Sequence, residues 1–328
     1  MKIQILLTVF AILFSGQLAL LAQPANVQQF QSNQQAQQFQ IPPYGLKEGT
    51  NAPDLFPGES TDVGPQRILK LNPRPNYFNV YFDSQVYYSD NANYAQGRDI
   101  IGSSVFVNTG QAALTPPEFE LGQGKMGLAA GIISQWYNYG SHQMTSENFT
   151  AETAFISSRF TYHDWVFSLG GNFTRLLDQN GYDWTYQEFL PVLAVQRFFP
   201  IGERLLLVVG NQVDYHFSDE PPAPGTPTDI NNRFDDIVNV GFSWQMTRHL
   251  VLQPYGRFQY SNYRYDTLQT SGRTDYLYST GITLACYFNK NFSLRTFFNY
   301  NVKQTDDSYS PAYHEYNGGL GGSLNFDF

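Results

Sequence analysis

The sequence predicts an all-β fold: a transmembrane antiparallel up-and-down barrel of about twelve strands, within a range of about ten to fourteen. Three observations predict it. Polarity alternates residue by residue over long runs, tight and long connections alternate between those runs, and the composition is rich in aromatics but poor in charge.

Composition narrows the class first. The 328 residues are 16% aromatic and only 14% charged, where soluble domains carry about a quarter charged residues. A mean hydropathy of -0.36 nevertheless excludes a bundle of apolar membrane helices. The 23 tyrosines and 27 phenylalanines favour strands. The balance suits a barrel whose two faces meet different solvents. A net charge of -9 without a basic stripe argues against nucleic acid as a partner. The single cysteine, Cys286, allows no intramolecular disulfide and no cysteine-based zinc site.

The N-terminus reads as a signal peptide over residues 1–22. Lys2 supplies the positive start, and Ile3 to Phe14 form an apolar stretch shorter than a membrane span. Cleavage is expected after Ala22 or Ala25. Residues 23–45 are Gln-rich and nearly uncharged, which predicts a disordered periplasmic tail. Residues 46–76 carry Pro53, Pro57, Pro65, Pro73 and Pro75, so an extended or irregular path is expected. Within them, Arg67 to Leu71 is either a short strand or a segment tucked into the barrel mouth. Residues 23–76 thus form a flexible periplasmic segment, and residues 77–328 the barrel.

From Phe78 onward the pattern changes. Phe78, Val80, Phe82, Val86 and Tyr88 alternate with Asn79, Tyr81, Asp83, Gln85 and Tyr87, a period of two. The pattern recurs, which predicts strands near 77–90, 100–115, 125–140, 149–162, 165–178, 184–199, 204–218, 235–247, 250–265, 274–289, 292–304 and 312–328. Most are long enough to cross a bilayer at a tilt. Connections near 163–164, 200–203, 247–249 and 289–291 are tight. Those near 91–98, 141–148, 179–183, 219–234, 266–273 and 305–311 are longer and polar. Apart from a medium-length turn at 116–124, this alternation is the asymmetry of barrels with short periplasmic turns and long extracellular loops. An even strand number puts both barrel ends on the short-turn side. Trp136, Tyr139, Trp165, Trp184, Phe199, Trp244 and Phe288 lie near strand ends and are candidates for interfacial girdles.

The last strand ends GGLGGSLNFDF, with Leu320, Leu324, Phe326 and the terminal Phe328 on one face. It resembles the C-terminal targeting strand of bacterial outer-membrane β-barrel proteins, the porin-like class. The resemblance covers that strand alone. It implies a bacterial outer-membrane location among lipids, and insertion by the barrel-assembly machinery through Leu324, Phe326 and Phe328.

Function is expected on the inward face. Parity assigns Asp83, Arg204, Asp214, His216, Arg257, Asp275, Arg295, Lys303 and Glu315 to the lumen, with Lys303 and Glu315 a possible ion pair. The parity of Arg159, Glu188 and Arg197 is undecided. In an open barrel such charges select among solutes; in a closed one they form a paired polar core. Two readings therefore stand. One is a porin-like channel for passive diffusion of small hydrophilic solutes. The other is a plugged structural or surface-interaction barrel that works through its loops or N-terminal tail. An outer-membrane hydrolase is the remote alternative. Of the five histidines only His216 falls inward, and no strand joins it to a serine and a third polar group. Rim acids such as Asp235, Asp236, Asp306 and Asp307 read as solvated loop residues. Neither a metal nor another cofactor is called for, because scattered histidines and loop acids show no ligand spacing.

Overall fold

The computed structural model describes residues 26–31, 76–222, 227–266, 272–307 and 310–328. The signal-peptide reading, most of the Gln-rich stretch and the proline-rich run lie outside them. Thirteen strands follow one another: β1 (Phe78–Ser89), β2 (Ser103–Leu114), β3 (Phe119–Leu121), β4 (Gly124–Tyr139), β5 (Phe149–Tyr162), β6 (Trp165–Asp178), β7 (Trp184–Ile201), β8 (Leu205–Asp219), β9 (Arg233–Gln245), β10 (Leu250–Tyr263), β11 (Arg273–Tyr287), β12 (Phe292–Thr305) and β13 (Tyr313–Asp327). Each pairs antiparallel with its neighbour, and β2 also pairs with β4. The short β3 only folds back on β4 through Gly122, whose φ is 63°, so the closed barrel has 12 strands.

Closure is a continuous ladder. Asn79 faces Asp327 and Ser89 faces Asn317, with every residue between them in register. The terminal Phe328 carbonyl accepts from the amides of Tyr77 and Phe78. Within that ladder Gly319 lies opposite Tyr87, where a Cβ would come 2.4 Å from the Tyr87 Cβ. Only glycine lets β13 approach there. Leu324 and Phe326 pair with Phe82 and Val80 and point outward, as does Phe328.

The period of two separates the faces. Along β9, Asp235, Ile237, Asn239 and Ser243 are buried, while Phe234, Val238, Val240, Phe242 and Trp244 are exposed. Buried here means turned into the lumen; exposed means turned toward lipid. The apolar outer belt runs around every barrel strand, and no helix among the described residues is long and apolar enough to cross a membrane. Trp136 closes the belt at the long-loop end, and Trp165, Trp244 and Phe288 at the short-turn end. Tyr139 departs from the girdle expectation. It points inward and is buried, because odd-numbered residues of β4 form its lumenal face.

Turns are tight at one end. His163, at φ 51°, makes a two-residue link, and Gly202, at φ 68°, a three-residue one. Two prolines interrupt the ladder, each on one side only. Pro191 separates β7 from β8, and Pro254 separates β10 from β9 while still facing Ile282 of β11.

A cation on the lipid face tests the assignment. Val240→Arg lies near the middle of β9 and is expected to cost roughly 2–4 kcal/mol, read as a lower urea midpoint in lipid vesicles. An unchanged midpoint would put Val240 outside the hydrocarbon.

Candidate functional site

The lumen at the long-loop end is divided. Strands β1 to β7 present Tyr87, Val105, Val107, Tyr137, Tyr139, Phe149, Ala151, Leu176 and Tyr186, an apolar and aromatic wall. Tyr137 and Phe149 stack at 4.3 Å. A bulge between Leu176 and Leu177 resets β7 so that Tyr186 faces Leu176 on the inner side. Strands β7 to β13 present charge instead.

The charged wall is built from pairs. His216 Nδ1 lies 2.8 Å from Glu188 Oε2, and its Nε2 lies 3.1 Å from Asp235 Oδ2 and 3.3 Å from Asp214 Oδ1. Arg233 donates from Nε to both Asp235 oxygens at 3.0 Å. Asp275 holds Arg273 at 3.3 Å and Lys303 at 3.0 Å. The Tyr263 ring carries the Arg273 guanidinium at 3.8 Å and the Arg233 guanidinium at 5.3 Å. Nearer the short-turn end, Arg295 grips Asp83 with two bonds, at 2.5 and 2.8 Å.

Into this space projects a segment that was expected to be disordered and periplasmic. Residues 26–31 are helical, and all but Gln28 are buried. Val27 and Phe30, both 0% exposed, pack into the apolar wall. Gln29 donates to the Tyr87 hydroxyl at 2.6 Å and accepts from Tyr94 at 3.0 Å. Gln31 donates to Tyr186 at 3.2 Å and accepts from Arg233 Nη2 at 3.0 Å. In the ring of strands β1 lies opposite β8, and β7 and β9 flank β8. The helix therefore bridges opposite walls and occupies the lumen. A six-residue helix has no independent stability; the pocket supplies what the sequence pattern does not show.

Tyr94 is shaped for this contact. It sits in the β1–β2 loop with φ 53°, a left-handed conformation costing a bulky residue about 1–2 kcal/mol. That conformation turns its ring inward against Tyr313, at 5.0 Å. Burial, then the nearby Glu315 carboxylate, push its ionisation well above the usual tyrosine value, so it remains a hydrogen-bond donor.

The helix is held close to balance. Burying Val27 and Phe30 contributes about 4 kcal/mol, and four hydrogen bonds about 4 more. Ordering six residues costs about 8.

Of the residues that parity assigned to the lumen, Asp83, Asp214, His216, Arg257, Asp275, Arg295, Lys303 and Glu315 lie on the inner side of their strands. Arg204 does not. It is exposed in the β7–β8 turn, where parity lapses, and lines an open hollow of about 630 Å³ with Phe242, Trp244, Leu252 and Pro254. Lys303 and Glu315 are not a pair. Lys303 is taken by Asp275 and Ser310, whereas Glu315 accepts from Ser89 at 2.8 Å and Asn301 at 3.0 Å. Arg257 donates to Gln259 at 2.9 Å.

Parity reasoning missed Arg233, Arg273 and Asp235, which were read as loop residues. Strands β9 and β11 start earlier than expected, each with an Arg-x-Asp sequence whose two charges share the inner face. That repeat was the available signal. Glu188 is lumenal and buried, Arg159 shares the inner side of β5 with Ala151 and Thr153 but is open to solvent near the short-turn end, and Arg197 lies over the rings of Trp165 and Phe199.

Asp214, His216 and Asp235 bring possible metal-ligand atoms within 4.8 Å of one another, a grouping the sequence did not reveal. The Arg233 guanidinium already stands among them, 3.1 Å from His216 Nε2, and a fixed cation there opposes a divalent one. Both imidazole nitrogens face carboxylates, so neither is directed at a serine hydroxyl.

No protein-family model matches the chain, and no curated protein matches it. Solved structures do. An outer-membrane channel from Pseudomonas putida F1 superposes with a TM-score of 0.51 at 8% identity, over 76% of this chain and 96% of that one. The NanC porin gives 0.42 at 10% identity, over 74% and 98%. The outer-membrane channel DcaP of Acinetobacter baumannii gives 0.39 at 9%, over 76% and 96%. The first likeness establishes the barrel fold. Together with the lipid-facing belt, the even strand number and the loop asymmetry, it makes this a bacterial outer-membrane β-barrel protein.

Asp235→Leu tests the charge network. It leaves Arg233 and His216 facing an apolar group inside the barrel, an expected loss of about 3–5 kcal/mol, read from the urea midpoint in vesicles. A loss under about 1 kcal/mol would mean that the network does not depend on that carboxylate.

Proposed function

We propose that this chain is an outer-membrane channel for passive movement of small hydrophilic solutes, closed at its long-loop mouth by its own N-terminal helix. The observation that carries the reading is the helix 26–31, which bridges an apolar wall and a charged wall on opposite sides of the lumen. A barrel of twelve strands leaves room for a narrow path, between the filled eight-stranded and wide sixteen-stranded cases. Its near-balanced helix is suited to leave and return. Paired inward charges of both signs favour modest selectivity over a strong preference for either ion type. We read the activity as transport, since the lumenal imidazole is committed to carboxylates.

Single-channel recording of the full chain in a planar bilayer tests this. The unaltered protein is expected to show brief, small openings. Phe30→Asp, which places a carboxylate in the apolar pocket, should give steady openings of several-fold greater conductance. If both remain silent while folding is confirmed by heat-modifiable gel mobility, the lumen does not conduct, and function passes to the loops and tail as interaction surfaces.

The outward Leu324, Phe326 and Phe328 are further proposed to engage the barrel-assembly machinery. Deleting Phe328 should reduce the folded protein recovered in the outer membrane, while leaving refolding in detergent intact. Equal recovery in membranes would remove Phe328 from that role.

A further inference from the structure

The contacts of the helix describe a binding site as well as a closure. Gln31 is held at both ends of its carboxamide. Arg233 donates to its oxygen at 3.0 Å, and its nitrogen donates to the Tyr186 hydroxyl, which itself donates to Glu188 Oε2 at 2.7 Å. Beside it Phe30 and Val27 fill the apolar wall. Arg233 Nη1 is buried without a hydrogen-bond partner, a donor in excess of what the helix uses.

We infer that the pocket filled by residues 26–31 is a solute-binding site for small uncharged amphipathic amides, an aromatic or branched apolar group joined to a carboxamide, and that the helix occupies it as a competing internal ligand. The inference rests on the channel reading and names the solute class that would displace the helix.

The chemistry selects the neutral amide over the acid. A carboxylate at the Gln31 position would gain Arg233 but would face Glu188 through Tyr186, with Asp235 and Asp214 close behind His216. Tyr186 already spends its hydrogen on Glu188, so it can only accept from the ligand. An amide offers one acceptor to Arg233 and one donor to Tyr186. A carboxylate offers no donor, and so leaves the Tyr186 oxygen without a partner. The apolar wall adds the second requirement. Tyr137, Phe149, Leu176 and Val107 belong to the same apolar cluster as Phe30, so its withdrawal vacates an apolar space the size of its own ring.

Calorimetry in detergent tests the site independently of conduction, with 3-phenylpropionamide, 3-phenylpropionate and propionamide as probes. The full chain carrying Phe30→Asp is the open form, and a deletion of residues 26–31 is the second. Expected is binding of 3-phenylpropionamide to both variants, roughly tenfold tighter than the carboxylate or the ring-less amide, and weaker binding to the unaltered chain, where the helix competes. Adding Tyr186→Phe to either variant should lower the preference for amide over acid, leaving the part set by the carboxylates of Glu188, Asp235 and Asp214. Equal binding of acid and amide, or no binding to variants whose raised conductance shows the lumen open, would overturn the inference and leave the channel reading intact. Binding of the amide without any rise in conductance would overturn the channel reading instead.

Discussion

Backbone pairing in hydrocarbon governs this molecule. Inside a bilayer no water can satisfy an N–H or a carbonyl, so each must find a partner within the sheet, and the sheet must close. The unbroken register between β1 and β13 is that closure. It fixes which residues face lipid, because one step of slip would turn the apolar belt inward and the charges outward. It also forces the short-turn end to hold both barrel ends, with Phe328 tied back to Tyr77 and Phe78. The two ladder interruptions, at Pro191 and Pro254, each remove pairing on one side while the other side stays zipped.

A closed ring of twelve strands makes a narrow interior, and narrowness dictates its electrostatics. Charges facing one another across a confined space of low polarisability must be matched. Four cations meet the requirement directly: Arg233 on Asp235, Arg273 and Lys303 on Asp275, and Arg295 on Asp83. The pairs gather on β8 to β12 and on β1, leaving the wall from β1 to β7 free to be apolar near the long-loop mouth. That division suits an occupant that carries both apolar and neutral polar side chains. Residues 26–31 supply both kinds of group: Val27 and Phe30 pack into the apolar wall, Gln29 bonds to Tyr87 and Tyr94, and Gln31 reaches Tyr186 and Arg233 on the charged side.

The barrel was legible in the sequence, because strand polarity and loop length are local properties; observed strand bounds depart from the expected ones by only a few residues. The site was legible by half. Parity found Asp214, His216, Asp275 and Lys303, since each sits well inside a strand. It failed at Arg204, where the chain has already left the strand, and at Arg233 and Asp235, where the strand runs further into the loop than its polarity suggests. Partners could not be read at all. Lys303 pairs with Asp275 across β11 and β12, and Arg295 with Asp83 across β12, β13 and β1, choices set by register and not by sequence proximity. The helix left no trace, because six residues with two apolar members form no period, and Gln-rich composition ordinarily signals a solvated chain.

That composition is itself intelligible once the pocket is known. A plug carrying lysine or glutamate would enter a balanced set of charges and unbalance it, at high cost in a narrow lumen. Glutamine adds no charge, yet presents a donor and an acceptor at the end of a long side chain, and so can join Tyr87 to Tyr94 and Tyr186 to Arg233. Because the helix belongs to the same chain as the barrel, its local concentration at the mouth is high, and modest contacts are enough for it to return. Strong contacts would hold it permanently. Burial and hydrogen bonding together about offset the ordering cost, as a reversible closure of the kind proposed would require, and neutral amides around two apolar side chains are a simple way to achieve it.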